Sequence, residues 1–247
     1  MRFAMPGRVL LAAVAFLLVA ASPAPKAGGV SVKTADYDFA YRWPAEVEAI
    51  PALRARMAAE QSELRRSLAL EASQGRKWAS TRPGLRFVPY QFSAEWKVVT
   101  NLPGWLSLSQ TVSTYEGGAH PNSGFDSLVW DRAAGVARKP LDLFVSAKAL
   151  DAAIRRPFCD ALDRERAVRR GAPVNRAGGT DFDSCITPSD QTVILGSSDR
   201  KRFNRIGLLV GPYAAGPYAE GSYDITLPVT PAVLKAVKPE FRAAFGP

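Results

Sequence analysis

The chain has 247 residues, with 32 Lys and Arg against 23 Asp and Glu, one His and two Cys. One histidine, two distant cysteines and no H-x-x-H, H-E-x-x-H or C-x-x-C spacing exclude the ordinary transition-metal ligand sets, and no cofactor fingerprint is present. A formal charge of +9 favours anionic partners, while the absence of a phosphate-binding loop and of a G-x-S-x-G nucleophile turn removes common enzyme signatures.

Arg2 and Arg8 lie in a short basic opening, and Val9 to Ala21 is a run of thirteen apolar residues. A membrane-spanning helix needs roughly twenty, so the run predicts a cleaved signal peptide over 1–21, with Val19 and Ala21 as the small residues before the cut. Loss of Arg2 and Arg8 leaves 30 basic and 23 acidic residues, a charge near +7. No later segment is long and apolar enough to span a membrane. Export to the periplasm or beyond makes nucleic acid an unsuitable partner and points to an anionic cell-envelope polymer or an envelope protein. Residues 22–31, rich in Pro, Gly and small side chains, read as a tether. Export also predicts that Cys159 and Cys185 are joined in a disulfide.

Tyr37, Phe39 and Tyr41 alternate with Asp38, Ala40 and Arg42, which predicts a strand ended by Trp43-Pro44. From Glu46 to Gln74, Ile50, Leu53, Met57, Leu64 and Leu68 fall on one face of an amphipathic helix. Period-two patterns then predict strands over Arg86–Tyr90, Phe92–Thr100 and Leu106–Tyr115, with a turn at Asn101-Leu102-Pro103-Gly104. A further hairpin is expected from Phe125–Trp130 and Val136–Lys139. Ser146 is a plausible N-cap for a helix burying Leu150, Ile154, Phe158 and Leu162, with Pro157 expected to kink or divide it. Arg164 to Asp183 reads as a long basic surface loop. Three more strands, at Thr192–Leu195, Asn204–Val210 and Ser222–Pro228, precede a closing helix over Pro231–Phe245. Strands in series with helices between and at the ends predict an α+β fold of antiparallel sheets. Two subdomains are expected, at 32–103 and 104–247.

Two clusters carry the candidate binding residues. The first is the turn Tyr115, Glu116, Gly117, Gly118, Ala119, His120, Pro121 and Asn122, whose two glycines permit positive φ. His120 could serve as a general base with Ser123, Glu116 or Asp126, but a lone imidazole in such a turn reads first as a structural group. The second runs from Gly211 to Gly221 and sets Tyr213 and Tyr218 among Pro and Gly, a rigid aromatic contact surface. Arg164, Arg166, Arg169 and Arg170 exceed the carboxylates at Asp160, Asp163 and Glu165, which makes Arg169 and Arg170 candidates for contact with an anionic ligand.

The Tyr37–Pro44 strand with its helix, the Tyr115-x-Gly-Gly-Ala-His120 turn followed by Phe125-Asp126, the Leu141-x-Leu-Phe144 box and the Tyr213–Pro228 segment together resemble an exported domain family. That family occurs in RsiV-type lysozyme-sensing anti-sigma factors and in the N-terminal part of PdaC-type peptidoglycan deacetylases. The resemblance implies a two-part α+β fold and, as a partner, a lysozyme-like protein; it brings no catalytic residues, because deacetylation needs Asp and His ligands that one histidine cannot supply. The expectation is a non-enzymatic envelope-binding module, with a small envelope hydrolase built on His120 and a nearby carboxylate or Ser123 as the alternative.

Overall fold

Alternation of apolar and polar residues builds the first sheet. Phe39, Tyr41 and Trp43 of β2 (Tyr37–Trp43), Ala94 and Trp96 of β3 (Tyr90–Asn101), Leu106 and Leu108 of β4 (Trp105–Tyr115), and Leu128 and Trp130 of β5 (Asn122–Asp131) share one buried face. The computed structural model describes residues 26–177 and 179–247, so the signal peptide expected over 1–21 lies outside the described residues. With β1 (Gly28–Lys33) and β6 (Val136–Arg138) at the edges, the six strands lie side by side in chain order.

Every neighbouring pair in this sheet is antiparallel except β2 and β3, which run parallel. A parallel pair needs a crossover, supplied here by α1 (Ala45–Glu48) and α2 (Pro51–Ser80). The predicted stripe Ile50, Leu53, Met57, Leu64 and Leu68 is the one that docks on the sheet. The helix is not continuous from Glu46, as expected, but restarts at Pro51. A residue before proline is driven from the helical region, and Ile50 is extended at φ −122, ψ 92. The strand expected from Arg86 begins only at Tyr90, after an irregular stretch over 85–89.

Gly28 to Ser31, read from sequence as tether, belong to β1 instead. A Cβ at Gly28 would collide with the Glu48 carboxylate and the Trp43 indole nitrogen, so a bare backbone is needed for this close approach. The boundary placed between residues 103 and 104 lies in the turn between β3 and β4, two strands of one sheet. Within the core, Tyr41 is fully buried yet satisfied: it accepts from Trp96 Nε1 at 2.7 Å and donates to Glu60 Oε1 at 2.9 Å. Burial, reinforced by the Glu60 charge, pushes its phenol well above the ordinary tyrosine range.

The opposite face of the sheet packs on a second, antiparallel sheet of β7 (Thr192–Gly196), β8 (Arg205–Val210) and β9 (Tyr223–Pro228). Ser127 Oγ donates to the Val193 carbonyl at 2.7 Å and Thr192 Oγ1 to the Phe125 carbonyl at 3.1 Å, stitching β5 to β7. Two sheets with flanking helices are the α+β architecture that the pattern of elements predicts. Helix α3 (Ala147–Arg170) covers the second core with Leu150, Ile154, Phe158 and Leu162, the four residues expected. Ser146 caps it, accepting from the Ala149 amide at 3.0 Å. Pro157 does not divide α3, and the helix runs to a left-handed Gly171 at φ 68. Arg164 to Arg170 are therefore helical, not loop. The closing helix is shorter than expected: α4 (Pro231–Ala236) is followed by a 3-10 turn over Pro239–Ala244. Among the described residues, no helix is long and apolar enough to cross a membrane.

Cys159 of α3 is bonded to Cys185, with Cα atoms 5.5 Å apart. Thiol titration of the native and the unfolded protein should therefore find no free thiol. The double replacement Cys159→Ala, Cys185→Ala should lower unfolding free energy by about 3 to 3.5 kcal/mol in urea titrations, by the entropy of the opened loop.

Candidate functional site

Two hairpin loops, one from each sheet, meet at a single surface. The turn between β4 and β5 carries Glu116 to Pro121, and the connection between β8 and β9 carries Gly211 to Ser222. Gly117 and Gly118 take φ values of 101° and 109°, a region that a side chain would strain. The Tyr115 hydroxyl closes the turn by donating to the Gly118 carbonyl at 3.0 Å.

His120 and the two tyrosines, which the sequence places in separate clusters, come together. The imidazole stacks on Tyr218 with ring centroids 3.7 Å apart and planes 15° from parallel, and Tyr213 leans against both rings at 6.1 and 5.7 Å. His120 Nδ1 lies 3.0 Å from the Pro121 carbonyl, which can only accept, so this nitrogen carries the proton. In the neutral ring Nε2 is then the acceptor, and the Tyr213 hydroxyl at 3.2 Å is its donor. The Tyr218 hydroxyl also donates to Pro121, at 3.0 Å. Both ring nitrogens are thereby engaged. Among the described residues, His120 makes no hydrogen bond with Glu116, Ser123 or Asp126, and Asp126 instead accepts from the Ser127 amide at 2.7 Å.

Tyr213 adopts a positive φ of 67° and leaves 54% of its surface exposed. A non-glycine residue there costs about 1 to 2 kcal/mol, so the surrounding loop must hold it. The hold comes from α3. Arg166, with no exposed surface, donates through Nε to the Ala215 carbonyl at 2.9 Å and through Nη1 to the Ser184 carbonyl at 2.9 Å and Asp163 at 3.2 Å. Arg170 donates to Glu220 through Nε at 2.8 Å and Nη2 at 3.0 Å, and to Asp183 through Nη1 at 2.6 Å. Arg169 donates to the Glu220 carbonyl and places its guanidinium 3.8 Å over the Tyr223 ring. The tyrosine hydroxyl in turn donates to the Glu220 carboxylate. The count of carboxylates along α3 misses these partners because Asp183 and Glu220 arrive from distant parts of the chain.

Tyr115, Glu116, Gly117, Gly118, His120, Tyr213 and Tyr218 thus lie on or beside the meeting loops, and Asn122 begins β5 opposite Thr114. Arg170 stands behind the loop with its charge paired to Asp183 and Glu220, and Arg169 beside it is engaged by the Glu220 carbonyl and the Tyr223 ring. No group of three or more His, Cys, Asp or Glu among the described residues is placed to hold a metal ion.

Burial alone would push the Glu220 carboxyl up, but hydrogen bonds from Arg170 and Tyr223 and the Arg170 charge outweigh it and hold it below its ordinary value. The Asp183 carboxyl is also lowered, chiefly by the Thr180 amide, with help from the Thr180 hydroxyl and Arg170. Groups depressed in the folded state stabilise it above their unfolded pKa, and that stability is lost as pH falls through the folded value. Denaturation midpoints should accordingly fall on acidification below the ordinary carboxylate range. Arg170→Ala should lower stability at neutral pH by about 2 to 4 kcal/mol and flatten the acid slope, read by urea titration across pH. His120→Ala should cost about 1 to 2 kcal/mol through lost stacking and hydrogen bonds.

Residues 31–123 match the model of a family described as Deacetylase PdaC. The match covers β2 to the start of β5, including Gly117, Gly118 and His120, and stops short of Tyr213 and Tyr218. No curated protein matches the chain. The solved structures that this chain resembles include two of one family. One, a member of the DUF3298 family from Bacteroides fragilis NCTC 9343, is 17% identical and covers 83% of this chain and 90% of its own at a TM-score of 0.49. The other, a DUF3298 family protein from Pseudomonas aeruginosa PAO1, is also 17% identical and covers 92% of this chain and 99% of its own at a TM-score of 0.49. Over residues 31–123 the chain is thus PdaC-like, in agreement with the resemblance borne by the Tyr37–Pro44 strand and the Tyr115–His120 turn.

Proposed function

We propose that this protein is a non-enzymatic, exported module of the cell envelope that holds a cell-wall glycan or an envelope protein on the surface formed by the Tyr115–Asn122 turn and the Tyr213–Tyr218 loop. The observation that carries this reading is Tyr213. Its half-exposed ring is kept in a costly backbone conformation beside the stacked His120 and Tyr218, and strain of this kind concentrates at functional sites. A stack of rigid rings with hydroxyls already oriented binds with little loss of side-chain freedom.

In this reading His120 is a positioning group. A general base would need a free ring nitrogen facing substrate, whereas Nδ1 and Nε2 are engaged with Pro121 and Tyr213. The deacetylase description belongs to the family, and a single histidine gives this chain no Asp-His ligand set to accompany it. Arg169 and Arg170 contribute by fixing the loop that presents Tyr218. A lysozyme-like protein is a weaker match than an anionic glycan, because common lysozymes are basic and the net charge here is also positive.

Sedimentation of the mature protein with insoluble peptidoglycan tests the reading. Binding is expected, and Tyr213→Ala with Tyr218→Ala should weaken it roughly tenfold or more, as loss of two aromatic anchors does elsewhere. His120→Ala should alter affinity only a few fold. Release of soluble fragments from peptidoglycan, abolished by His120→Ala without loss of stability, would replace this reading with hydrolysis.

A further inference from the structure

A second surface, which borders the Gly117-Gly118 turn but does not include His120, Tyr213 or Tyr218, has a different chemistry. The C-terminal end of α2 and the irregular segment after it leave Trp78 54%, Leu85 45% and Val88 40% exposed. Trp78, Leu85, Phe87, Val88 and Tyr90 line one open groove of about 300 Å³. Gly75 lets Tyr90 lie against the helix, since a Cβ there would meet the phenol oxygen.

The charge around this groove is one-sided. From Ala72 to Ala94 the chain has four basic residues, Arg76, Lys77, Arg82 and Arg86, and no acidic one. Arg76 is paired with Asp36 and lies 4.6 Å over the Phe87 ring. Arg82 places its guanidinium 3.8 Å over Trp78. Lys77, Arg82 and Arg86 form no ion pair among the described residues, and Glu71 and Glu116 are the acidic groups at the rim.

We propose that this tip docks on an anionic lipid bilayer, with Trp78, Leu85 and Val88 entering the headgroup boundary and Lys77, Arg82 and Arg86 meeting lipid phosphates. Exposed aliphatic side chains gain nothing from a soluble polyanion but gain burial at an acyl boundary. An indole flanked by cations suits the membrane interface. The proposal does not rest on the peptidoglycan reading, and the side chains it relies on, Trp78, Leu85, Val88, Lys77, Arg82 and Arg86, are not among those assigned to that site.

Co-sedimentation of the mature chain from Ser22 onward, which lacks the apolar run Val9–Ala21, tests it on vesicles of equimolar phosphatidylglycerol and phosphatidylcholine and on phosphatidylcholine alone. Binding is expected on the anionic vesicles and should fall steeply with added salt. At about 1 kcal/mol per basic residue, Lys77→Gln with Arg86→Gln should weaken partitioning roughly 30-fold. Trp78→Ser should weaken it roughly tenfold. These side chains are exposed, and thermal melts with unchanged circular dichroism verify that the variants are folded. Equal binding to neutral vesicles, or none to anionic ones at low salt, overturns the proposal. Anionic binding indifferent to Trp78→Ser also overturns it and identifies a purely electrostatic surface suited to a soluble polyanion.

Discussion

The guanidinium groups of Arg166 and Arg170 on α3, the first buried and the second largely so, are the constraint on which the candidate site depends. A charge withdrawn from water calls for carboxylates and carbonyls within the fold; Arg166 and Arg170 find Ala215, Ser184, Asp183 and Glu220, with Asp163 beside Arg166, and leave Nη2 of Arg166 without a partner among the described residues. Apart from Asp163, those partners belong to the two longest connections of the C-terminal part, so engaging the arginines also fixes the loops. Gly216 allows it: a Cβ there would collide with the Glu220 carboxylate. Two residues before Glu220, Tyr218 is delivered to His120. The site is therefore held from behind by electrostatics and completed in front by aromatic packing.

This arrangement also explains why the site spans both sheets. The histidine turn hangs from β4 and β5 and the tyrosine loop from β8 and β9, and the sheets are stitched by Ser127 and Thr192 near the same end. A slip of β5 against β7 would part the imidazole from the phenols.

Local pattern made much of this legible. The alternation in β2 to β5, the stripe on α2, the Ser146 cap and the disulfide follow from period, cap chemistry and an even cysteine count, because each is settled within a few residues or by pairing two cysteines. Tyr213, Tyr218 and His120 were separately recognisable as Gly- and Pro-framed aromatics, but their contact is a tertiary fact that no spacing encodes. The run from Arg164 to Arg170 misleads for a related reason. Its charge suggests a solvated loop, yet Arg166 is fully buried, since the Ser184 and Ala215 carbonyls, remote in sequence, join Asp163 around it. The tether that proved to be β1 shows the same limit: Gly28 and Gly29 lack strand propensity, and a neighbouring backbone with room only for glycine recruits them.

The parallel pairing of β2 with β3 bears on the order in which the chain assembles. Strands β3, β4 and β5 meet through short turns, so their contacts close small loops at little entropic cost. Tyr37 meets Tyr90 only across the whole of α2, a long closure rewarded only once the helix has docked its apolar face. Topology of this kind places β1 and β2 late. The hairpins of the middle of the chain become the template onto which the β1–β2 hairpin is added, so in an emerging chain the β3-facing edge of β2 stays open until α2 and β3 have followed.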